Sequence, residues 1–372
     1  MHGNTPDEQR AAALRVERAI VELRRGRGVN VLDKDAVTAV TAVTAVVAVE
    51  RLGADALAET GGDVQRLELL VTAERAEALG LVGYPTGTRI RLSRDTSGHE
   101  LLGLAGMAAH GNSGRPLPGQ VSPGDPRTAA ALSLARHARL IPALLVLRAN
   151  EVSAAGLEPL CASVDDIVGY PSARARELQR LSRARVPLAA HEDCEFVVYR
   201  EPFNDAEHVA IVIGTPDLAG PVPVRLHSSC LTGDLLASLR CDCGDQLRGA
   251  VERIAEADGG VILYLAQEGR GIGLVNKLRA YALQEQGLDT LQADRYLGFR
   301  DDERDYTVAC AMLRDLGIGR VILLTNNPEK MAALNACKID VVGRMPLPAA
   351  VNSHNARYLR TKRERAGHLP SD

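Results

Sequence analysis

The sequence contains no tryptophan and only three phenylalanines among its 372 residues, so a hydrophobic core must be built mainly from aliphatic side chains. It also lacks any apolar run of about 18 residues, the length that a membrane-spanning helix needs. Its start does not show the charged-then-apolar pattern of a signal peptide. The net charge is only −3, so no global basic field favours nucleic acid. We expect a cytoplasmic protein that binds neither membrane nor nucleic acid.

Seven cysteines, an odd number, are not typical of a secreted disulfide framework in a chain of this length. A reducing cytoplasm would leave their thiols free to bind metal. Three of them, Cys230, Cys241 and Cys243, lie between Arg225 and Gly244. Because three thiolates leave one position of a tetrahedral zinc ion open, this stretch predicts a catalytic zinc site rather than a closed structural one.

Two other interpretations of the three cysteines stay open, namely buried structural cysteines and a redox pair. Cys241 and Cys243 are poorly placed for a relaxed disulfide with each other. The charged neighbours Arg240, Asp242 and Asp245 argue against a plain apolar core. Metal binding is therefore the favoured interpretation.

The first half of the chain predicts a mixture of helices and strands. We expect a helix from Pro6 to Arg25 and a strand over Val29–Leu32. The Ala-Val-Thr triplets that begin at Ala36 predict a buried strand with an adjoining helix. The further predicted elements are a strand over 67–71, a helix capped by Thr72, a loop over 109–126, a helix over 128–139, a strand over 141–147 and a helix over 172–181 capped by Ser172.

Strands and helices alternate in the second half, which indicates an α/β unit whose helices cover a sheet. The predicted strands are 195–199, 208–214, 261–265 and 321–324. The predicted helices pass through 247–254, cover 274–286, begin at about Glu329 and include a peripheral helix in the tail after 358.

Three further polar loops carry chemistry in this half. Their sequences are AQEGRGIGL (266–274), LGFRDDERDY (297–306) and TNNPEK (325–330). Taken singly, each has an ordinary explanation: a tight connection, a solvated helix start and an N-capped helix start. Open α/β sheets bind ligands at strand ends, however, and glycine-rich turns there bind anions. Together with the cysteines, the loops predict a zinc enzyme that hydrolyses a phosphorylated small molecule.

The chain closely resembles GTP cyclohydrolase II from about Arg185 to Leu369. The resemblance rests on four motifs in one order, HSSCLTGDLLASLRCDCGDQL, AQEGRGIGLVNKLRAYALQEQGLDT, LGFRDDERDY and LLTNNPEK. It implies zinc-dependent hydrolysis of GTP to 2,5-diamino-6-(5-phosphoribosylamino)pyrimidin-4-one, formate and pyrophosphate, the first step of riboflavin biosynthesis. It also implies a homodimer, and Mg²⁺ bound with the triphosphate.

The resemblance assigns roles residue by residue. The three cysteines would bind zinc, whose water attacks C8 of guanine. Arg304 matches a nucleophile toward the α-phosphate, Asp302 a proton acceptor, and Tyr281 a tyrosine that helps to complete ring opening. The positions that match GTP contacts are Arg225, Ser229, Gln246, Glu268, Gly269, Arg270, Thr290, Thr325 and Lys330.

One position departs from the family pattern. Where relatives often have HSEC, this chain has HSSC, so Ser229 replaces a carboxylate that could pair more strongly with guanine N–H groups. Two alternative functions therefore stay open. One is a paralogue that stops at the formamidopyrimidine or acts on another purine nucleotide. The other is a non-catalytic zinc-binding regulator, against which the intact Asp302, Arg304 and Tyr281 argue.

Residues 1–180 resemble dihydroxybutanone phosphate synthase, but more weakly. The acidic loop that this family uses for Mg²⁺ is replaced by the Ala-Val-Thr triplets after Asp33-Lys34-Asp35, and its Gly-His-Thr motif is lost at Gly124-Asp125-Pro126. Because Mg²⁺ requires oxygen ligands, we expect this domain to lack synthase activity and to serve packing or dimerisation. The resemblances together imply an α/β protein. An α+β domain (1–180) would precede a GTP cyclohydrolase II catalytic domain (181–372) with helices around a mixed sheet.

Overall fold

The computed structural model describes residues 5–34, 41–52, 67–93, 95–108, 121–147 and 160–347, together with the single positions 353, 355, 360 and 369. Contacts group the chain into two compact units. Unit 1 comprises Met1–Ala173 and Ile272–Glu303, and unit 2 comprises Arg174–Gly271 and Arg304–Asp372. Within the described ranges, no helix is long and apolar enough to cross a membrane. The predicted boundary at residue 180, between a synthase-like domain and a cyclohydrolase domain, stays a prediction.

Unit 1 is built on a seven-stranded sheet. Its strands are β1 (Val29–Lys34), β2 (Thr41–Ala48), β3 (Glu68–Val71), β4 (Thr88–Arg91), β5 (Val121–Pro123), β6 (Ala143–Leu147) and β7 (Leu160–Ser163). They lie in the order β5-β4-β3-β6-β2-β1-β7. Neighbouring strands are antiparallel except β1 and β7, which are parallel.

Unit 2 contains a second seven-stranded sheet. Its strands are β8 (Gln179–Arg185), β9 (Cys194–Arg200), β10 (Glu207–Gly214), β11 (Val222–Ser228), β12 (Gly259–Leu265), β13 (Arg320–Leu324) and β14 (Asp340–Met345). The order is β14-β13-β11-β12-β10-β9-β8. β14, β13, β11 and β12 run parallel, and the rest are antiparallel. The predicted mixed sheet is confirmed. Because parallel strands end at one edge, the segments after β11, β12 and β13 are brought to the same side.

Ten α-helices accompany the sheets in the described residues. They are α1 (Pro6–Arg24), α2 (Ala73–Ala78), α3 (Gly98–Leu104), α4 (Pro126–His137), α5 (Val164–Arg176), α6 (Cys243–Glu256), α7 (Leu274–Glu285), α8 (Thr290–Tyr296), α9 (Thr307–Asp315) and α10 (Pro328–Ala336). Local sequence explains several of their starts. Thr5 and Glu8 form a capping box at α1, and the predicted cap Thr72 accepts a hydrogen bond from the backbone N–H of Arg75.

Several predicted elements differ from the structure. The helix predicted over 172–181 is confirmed only for 172–176, the last residues of α5, while 179–185 forms the exposed edge strand β8. The predicted cap Ser172 is wrong, because it lies inside a helix that begins at Val164. Pairing with β9 outweighs the helical propensity of this charged stretch. The part of the triplet stretch that the structure describes, Thr41–Ala48, forms the predicted strand as β2, but a single 3₁₀ turn, Val49–Arg51, follows it instead of a helix. The loop predicted over 109–126 contains β5 at its end, and 109–120 and most of the tail lie outside the described residues.

Two further cysteines lie close together in unit 2. Cys310 of α9 and Cys337, directly after α10, form a disulfide with their Cα atoms 6.3 Å apart. The sequence did not predict this pair, because its partners belong to different helices and show no motif. The other five cysteines are not disulfide-bonded, including the three of the predicted metal site.

Arg75 is a fully buried arginine in the core of unit 1. Its guanidinium donates hydrogen bonds to the carbonyls of Gly103, Leu104 and Tyr296, at 2.6, 2.9 and 2.8 Å. It also lies 4.3 Å from the ring centroid of Tyr296. Burial lowers the pKa of Arg75. Gly103 and Leu104 are neighbours in the sequence, whereas Tyr296 is almost two hundred residues away, so one side chain joins two distant segments.

We expect Arg75→Met to destabilise the protein by about 3 kcal/mol or more, because three buried carbonyls lose their donor. Equilibrium denaturation in urea measures this. The matched control is Arg18→Met on the exposed face of α1, where a change within about 0.5 kcal/mol is expected. Equal effects at both positions would contradict the role given to Arg75.

Candidate metal centre

The three predicted zinc ligands converge in unit 2. Cys230 follows β11, while Cys241 and Cys243 lie at the start of α6. Their sulfur atoms all lie within 4.8 Å of one another, and those of Cys230 and Cys241 are 3.8 Å apart. Zinc–sulfur bonds of about 2.3 Å in a tetrahedron place two sulfurs about 3.8 Å apart. The spacing and the thiol chemistry therefore fit a zinc ion.

Gly233 makes this approach of the sulfurs possible. A Cβ atom at this position would lie 2.7 Å from the sulfur of Cys241 and 3.1 Å from that of Cys230. The backbone N–H of Gly233 also donates to the sulfur of Cys230 at 3.3 Å. Only a residue without a side chain fits inside the loop.

Asp234 fixes the shape of the same loop. Its carboxylate accepts hydrogen bonds from the backbone N–H of Cys230 at 2.9 Å and from the hydroxyl of Tyr264 at 3.0 Å. The Nε2 atom of His227 lies 3.1 Å from both carboxylate oxygens. Burial lowers the pKa of His227, so a neutral imidazole donates here. The role of Asp234 was not predicted, although an acidic residue four positions after Cys230 could have indicated it.

The sulfurs hinder one another's ionisation. The pKa values of Cys241 and Cys243 are raised, above all because each shares a hydrogen bond with the sulfur of Cys230. Burial raises both values further. Three thiolates in so small a volume require a cation to balance their charge.

A chain of polar side chains lies beside the cysteines. Arg225 donates to the carbonyl of Leu324 at 2.9 Å and to the amide oxygen of Gln246 at 2.5 Å. Gln246 in turn donates to the buried carboxylate of Asp242 at 2.5 Å. Burial lowers the pKa of Arg225 to about 10, while the charges of Asp242 and Cys243 oppose the shift. The guanidinium therefore stays protonated at neutral pH.

The glycine-rich turn after β12 is tied to the cysteine loop. It forms a 3₁₀ turn, Glu268–Gly271, in which Gly269 and Arg270 both have positive φ angles, 63° and 59°. The carboxylate of Glu268 accepts the backbone N–H of Leu231 at 2.7 Å. Ser229 donates its backbone N–H to the carbonyl of Leu265, the last residue of β12, at 2.8 Å. The predicted GTP contacts of this turn thus lie next to the predicted ligands.

Thr325 and Lys330 lie after β13, at the start of α10. Lys330 is buried and donates to the carbonyl of Leu226 on β11 at 2.7 Å. The hydroxyl of Thr325 accepts the backbone N–H of Asn327 at 3.0 Å, and Asn327 caps α10. This geometry fits the predicted contact of Thr325 and Lys330 with GTP. It equally fits an ordinary N-capped helix start.

A buried ionic network, which the sequence did not reveal, holds the segment after Arg304. Glu201 accepts from His208 at 2.9 Å and lies 3.1 Å from Arg174. Arg174 also contacts Asp305 at 3.1 Å. Burial alone would raise the pKa of Glu201, but the hydrogen bond from His208 and the charge of Arg174 outweigh burial, and the pKa is lowered.

Three predicted site residues belong to unit 1. Tyr281 of α7 is partly buried, with the amino group of Lys277 5.9 Å from its ring centroid. Thr290 is the first residue of α8, directly after the cap Asp289. Asp302 lies in the segment that leads to Arg304, whose guanidinium carbon is 5.6 Å from the ring centroid of Tyr306 in unit 2. The catalytic and substrate roles of all the assigned residues stay predictions.

We expect Gly233→Ala to abolish metal binding, because its methyl group would occupy the space between the sulfurs. Elemental analysis of the purified protein measures the zinc content. The matched control is Gly249→Ala on α6, where an added Cβ has no heavy atom within 4 Å and zinc content should equal that of the wild type. Full zinc occupancy in Gly233→Ala would refute the assignment of this cluster.

The lowered pKa of Glu201 predicts acid sensitivity. A carboxyl whose pKa falls on folding contributes stability above its unfolded value, about 4.3, and loses that contribution as the pH falls through the folded pKa. Glu201→Gln should therefore flatten the loss of stability between about pH 5 and about pH 3. Denaturation curves at each pH measure the slope. Glu207→Gln, which removes the half-exposed partner of Arg200, should leave the slope unchanged.

Comparison with known proteins supports one family for the chain. The profile of the GTP cyclohydrolase II family matches residues 179–346. A GTP cyclohydrolase-2 of Azospirillum brasilense is 44% identical over 96% of this chain and 94% of its own length. One of Xylella fastidiosa is 42% identical over 96% of this chain and 87% of its own.

Among solved structures, RibBX of A. baumannii, a two-domain 3,4-dihydroxy-2-butanone 4-phosphate synthase, is similar over 83% of this chain and 93% of that chain. Its sequence identity is 19% and the TM-score is 0.31, too low to support an argument. The curated relatives are different, since they match almost the whole length at more than 40% identity. The chain therefore belongs to the GTP cyclohydrolase II family of enzymes.

Proposed function

We propose that this protein catalyses zinc-dependent hydrolysis of GTP to 2,5-diamino-6-(5-phosphoribosylamino)pyrimidin-4-one, formate and pyrophosphate, the first step of riboflavin biosynthesis. The observation that carries the proposal is the convergence of Cys230, Cys241 and Cys243 within 4.8 Å, in a chain whose relatives are GTP cyclohydrolases. Zinc held there would act as a Lewis acid and supply an activated water for attack at C8 of guanine.

The residues beside the cysteines suit a nucleotide. Arg225 is buried and charged, and its Nε atom has no hydrogen-bond partner among the described residues. Such a donor can bind an electronegative atom of the substrate. In the proposal, GTP is also contacted by Ser229, Gln246, Glu268, Gly269, Arg270, Thr290, Thr325 and Lys330. Mg²⁺ would accompany the triphosphate, since hard cations prefer phosphate oxygens.

Three residues carry the chemistry away from the metal. Arg304 is proposed as the nucleophile toward the α-phosphate, with Asp302 as its proton acceptor. A guanidinium stays protonated in almost all proteins, so a carboxylate partner is a chemical requirement of this role. Tyr281 is proposed to help complete ring opening. A homodimer and a cytoplasmic location complete the proposal.

Incubating the protein with GTP, Zn²⁺ and Mg²⁺ tests the proposal directly. We expect formate, pyrophosphate and the pyrimidine to appear in equal amounts. Pyrophosphate and a formamide without free formate would instead identify the paralogue that stops early, to which Ser229 points. If none of the three products forms, the cyclohydrolase proposal is wrong.

We expect Cys241→Ser to lose zinc and all formate release, because a serine hydroxyl is a poor ligand for this soft site. The assay measures zinc content and formate on the same sample. Cys161→Ser, which changes a cysteine of unit 1 that is not disulfide-bonded, serves as the control and should retain both. Formate release by zinc-free Cys241→Ser would exclude the metal from the reaction.

A further inference from the structure

The match to the cyclohydrolase family covers residues 179–346, yet part of that stretch packs outside unit 2. Residues 272–303 belong to unit 1, together with the described residues of the N-terminal region. This segment carries three of the proposed site residues, Tyr281, Thr290 and Asp302. The N-terminal region and this piece of the cyclohydrolase match thus form one compact unit.

Apolar packing holds this segment firmly. One hydrophobic cluster of unit 1 combines side chains from the sheet and helices of the N-terminal region with side chains of 272–303. From the segment it contains Ile272, Ala280, Leu283, Ala293, Tyr296, Leu297 and Phe299, and from the N-terminal region it includes Leu69, Val71, Leu101, Leu104 and Ile141. The segment is therefore part of a shared core and is not merely laid on a surface.

Hydrogen bonds also fix the position of segment 272–303 within unit 1. The Thr72 hydroxyl donates to the carbonyl of Gly298 at 2.9 Å, and Arg75 donates to the carbonyl of Tyr296 at 2.8 Å. Asn276 donates its amide to the carbonyl of Arg139 at 2.9 Å. Hydrogen bonds to backbone carbonyls specify where the main chain lies, which apolar packing alone does not do.

One further contact involves the residue between Asp302 and Arg304, the two residues proposed to act on the α-phosphate. Arg136 on α4 places its Nε atom 3.1 Å from a carboxylate oxygen of Glu303, whose side chain is only 5% exposed. Glu303 also accepts the backbone N–H of Arg300 at 2.9 Å. Burial lowers the pKa of Arg136, and the charge of Glu303 counteracts this shift. Glu303 lies between Asp302 and Arg304 in the sequence.

We propose that the N-terminal region is a scaffold for the cyclohydrolase reaction, with Arg136 as a positioning residue that acts through Glu303 on Asp302. This inference rests on the proposed function. Arg136 contacts Glu303 and holds this end of the segment at a defined place, and Asp302 is the residue directly before Glu303. Misplacement of a catalytic group by about 1 Å can lower a rate about a hundredfold.

The test compares Arg136→Gln and Arg136→Lys with the wild type in the formate assay. We expect Arg136→Gln to lower kcat about tenfold to a hundredfold, with KM for GTP and zinc content close to those of the wild type. Arg136→Lys keeps the charge and should recover part of kcat. The split between kcat and KM distinguishes positioning from a general loss of folded protein.

Arg127→Gln is the matched control, because Arg127 lies on the same helix, is buried to a similar degree and pairs with Asp125, which does not belong to the segment. It should keep the kcat of the wild type. If Arg136→Gln keeps that kcat as well, or if both variants lose it equally, the scaffold proposal is wrong. If the wild type itself releases no formate, the proposed function fails first.

Should Arg136→Gln not fold, Thr72→Val and Thr72→Ser decide. Valine matches threonine in shape but removes the hydroxyl that donates to Gly298, whereas serine keeps it. We expect Thr72→Val to lower kcat while KM for GTP stays close to that of the wild type. Thr72→Ser should have the kcat of the wild type. A folded, zinc-loaded Thr72→Val with the kcat of the wild type would overturn the proposal.

Discussion

The close approach of three sulfur atoms is the constraint that the loop between β11 and α6 has to satisfy. Three thiolates within 4.8 Å of one another would need a cation to balance their charge, and the chain has to hold the sulfurs together. The loop meets this demand with a missing side chain at Gly233 and with the carboxylate of Asp234. Glu268 holds the loop from the neighbouring strand end. The three cysteines and the glycine-rich turn therefore form one connected structure.

The cysteine cluster could be predicted because its signal is local. Two of the cysteines are two residues apart, and the third lies eleven residues upstream of that pair. Thiolates at such spacing are typical zinc ligands. Helix starts with capping residues, such as Thr72 and Asn327, were predictable for the same reason. The resemblance to GTP cyclohydrolase II is confirmed by the family profile and by relatives that span nearly the whole chain.

What the sequence could not reveal depends on distant pairing. β8 has no apolar alternation, and only its partner β9 makes it a strand. The network around Glu201 joins α5, a hairpin and Asp305, more than a hundred residues away. Likewise, the hydrogen bond from Thr72 to Gly298 spans 226 residues. Short-range patterns do not encode such contacts, so the grouping of 272–303 with the N-terminal region was not predicted.

The discontinuous course of the chain has a consequence for its biosynthesis. The core of unit 1 includes side chains from 272–303, but the whole of Arg174–Gly271 leaves the ribosome first. At about 5–20 residues per second, the N-terminal region waits several seconds with apolar surface uncovered. All seven strands of its sheet precede residue 164, but the core beside them still lacks the side chains of 272–303. This interval, before residues 272–303 complete the core, is when a chaperone that shields apolar surface would bind.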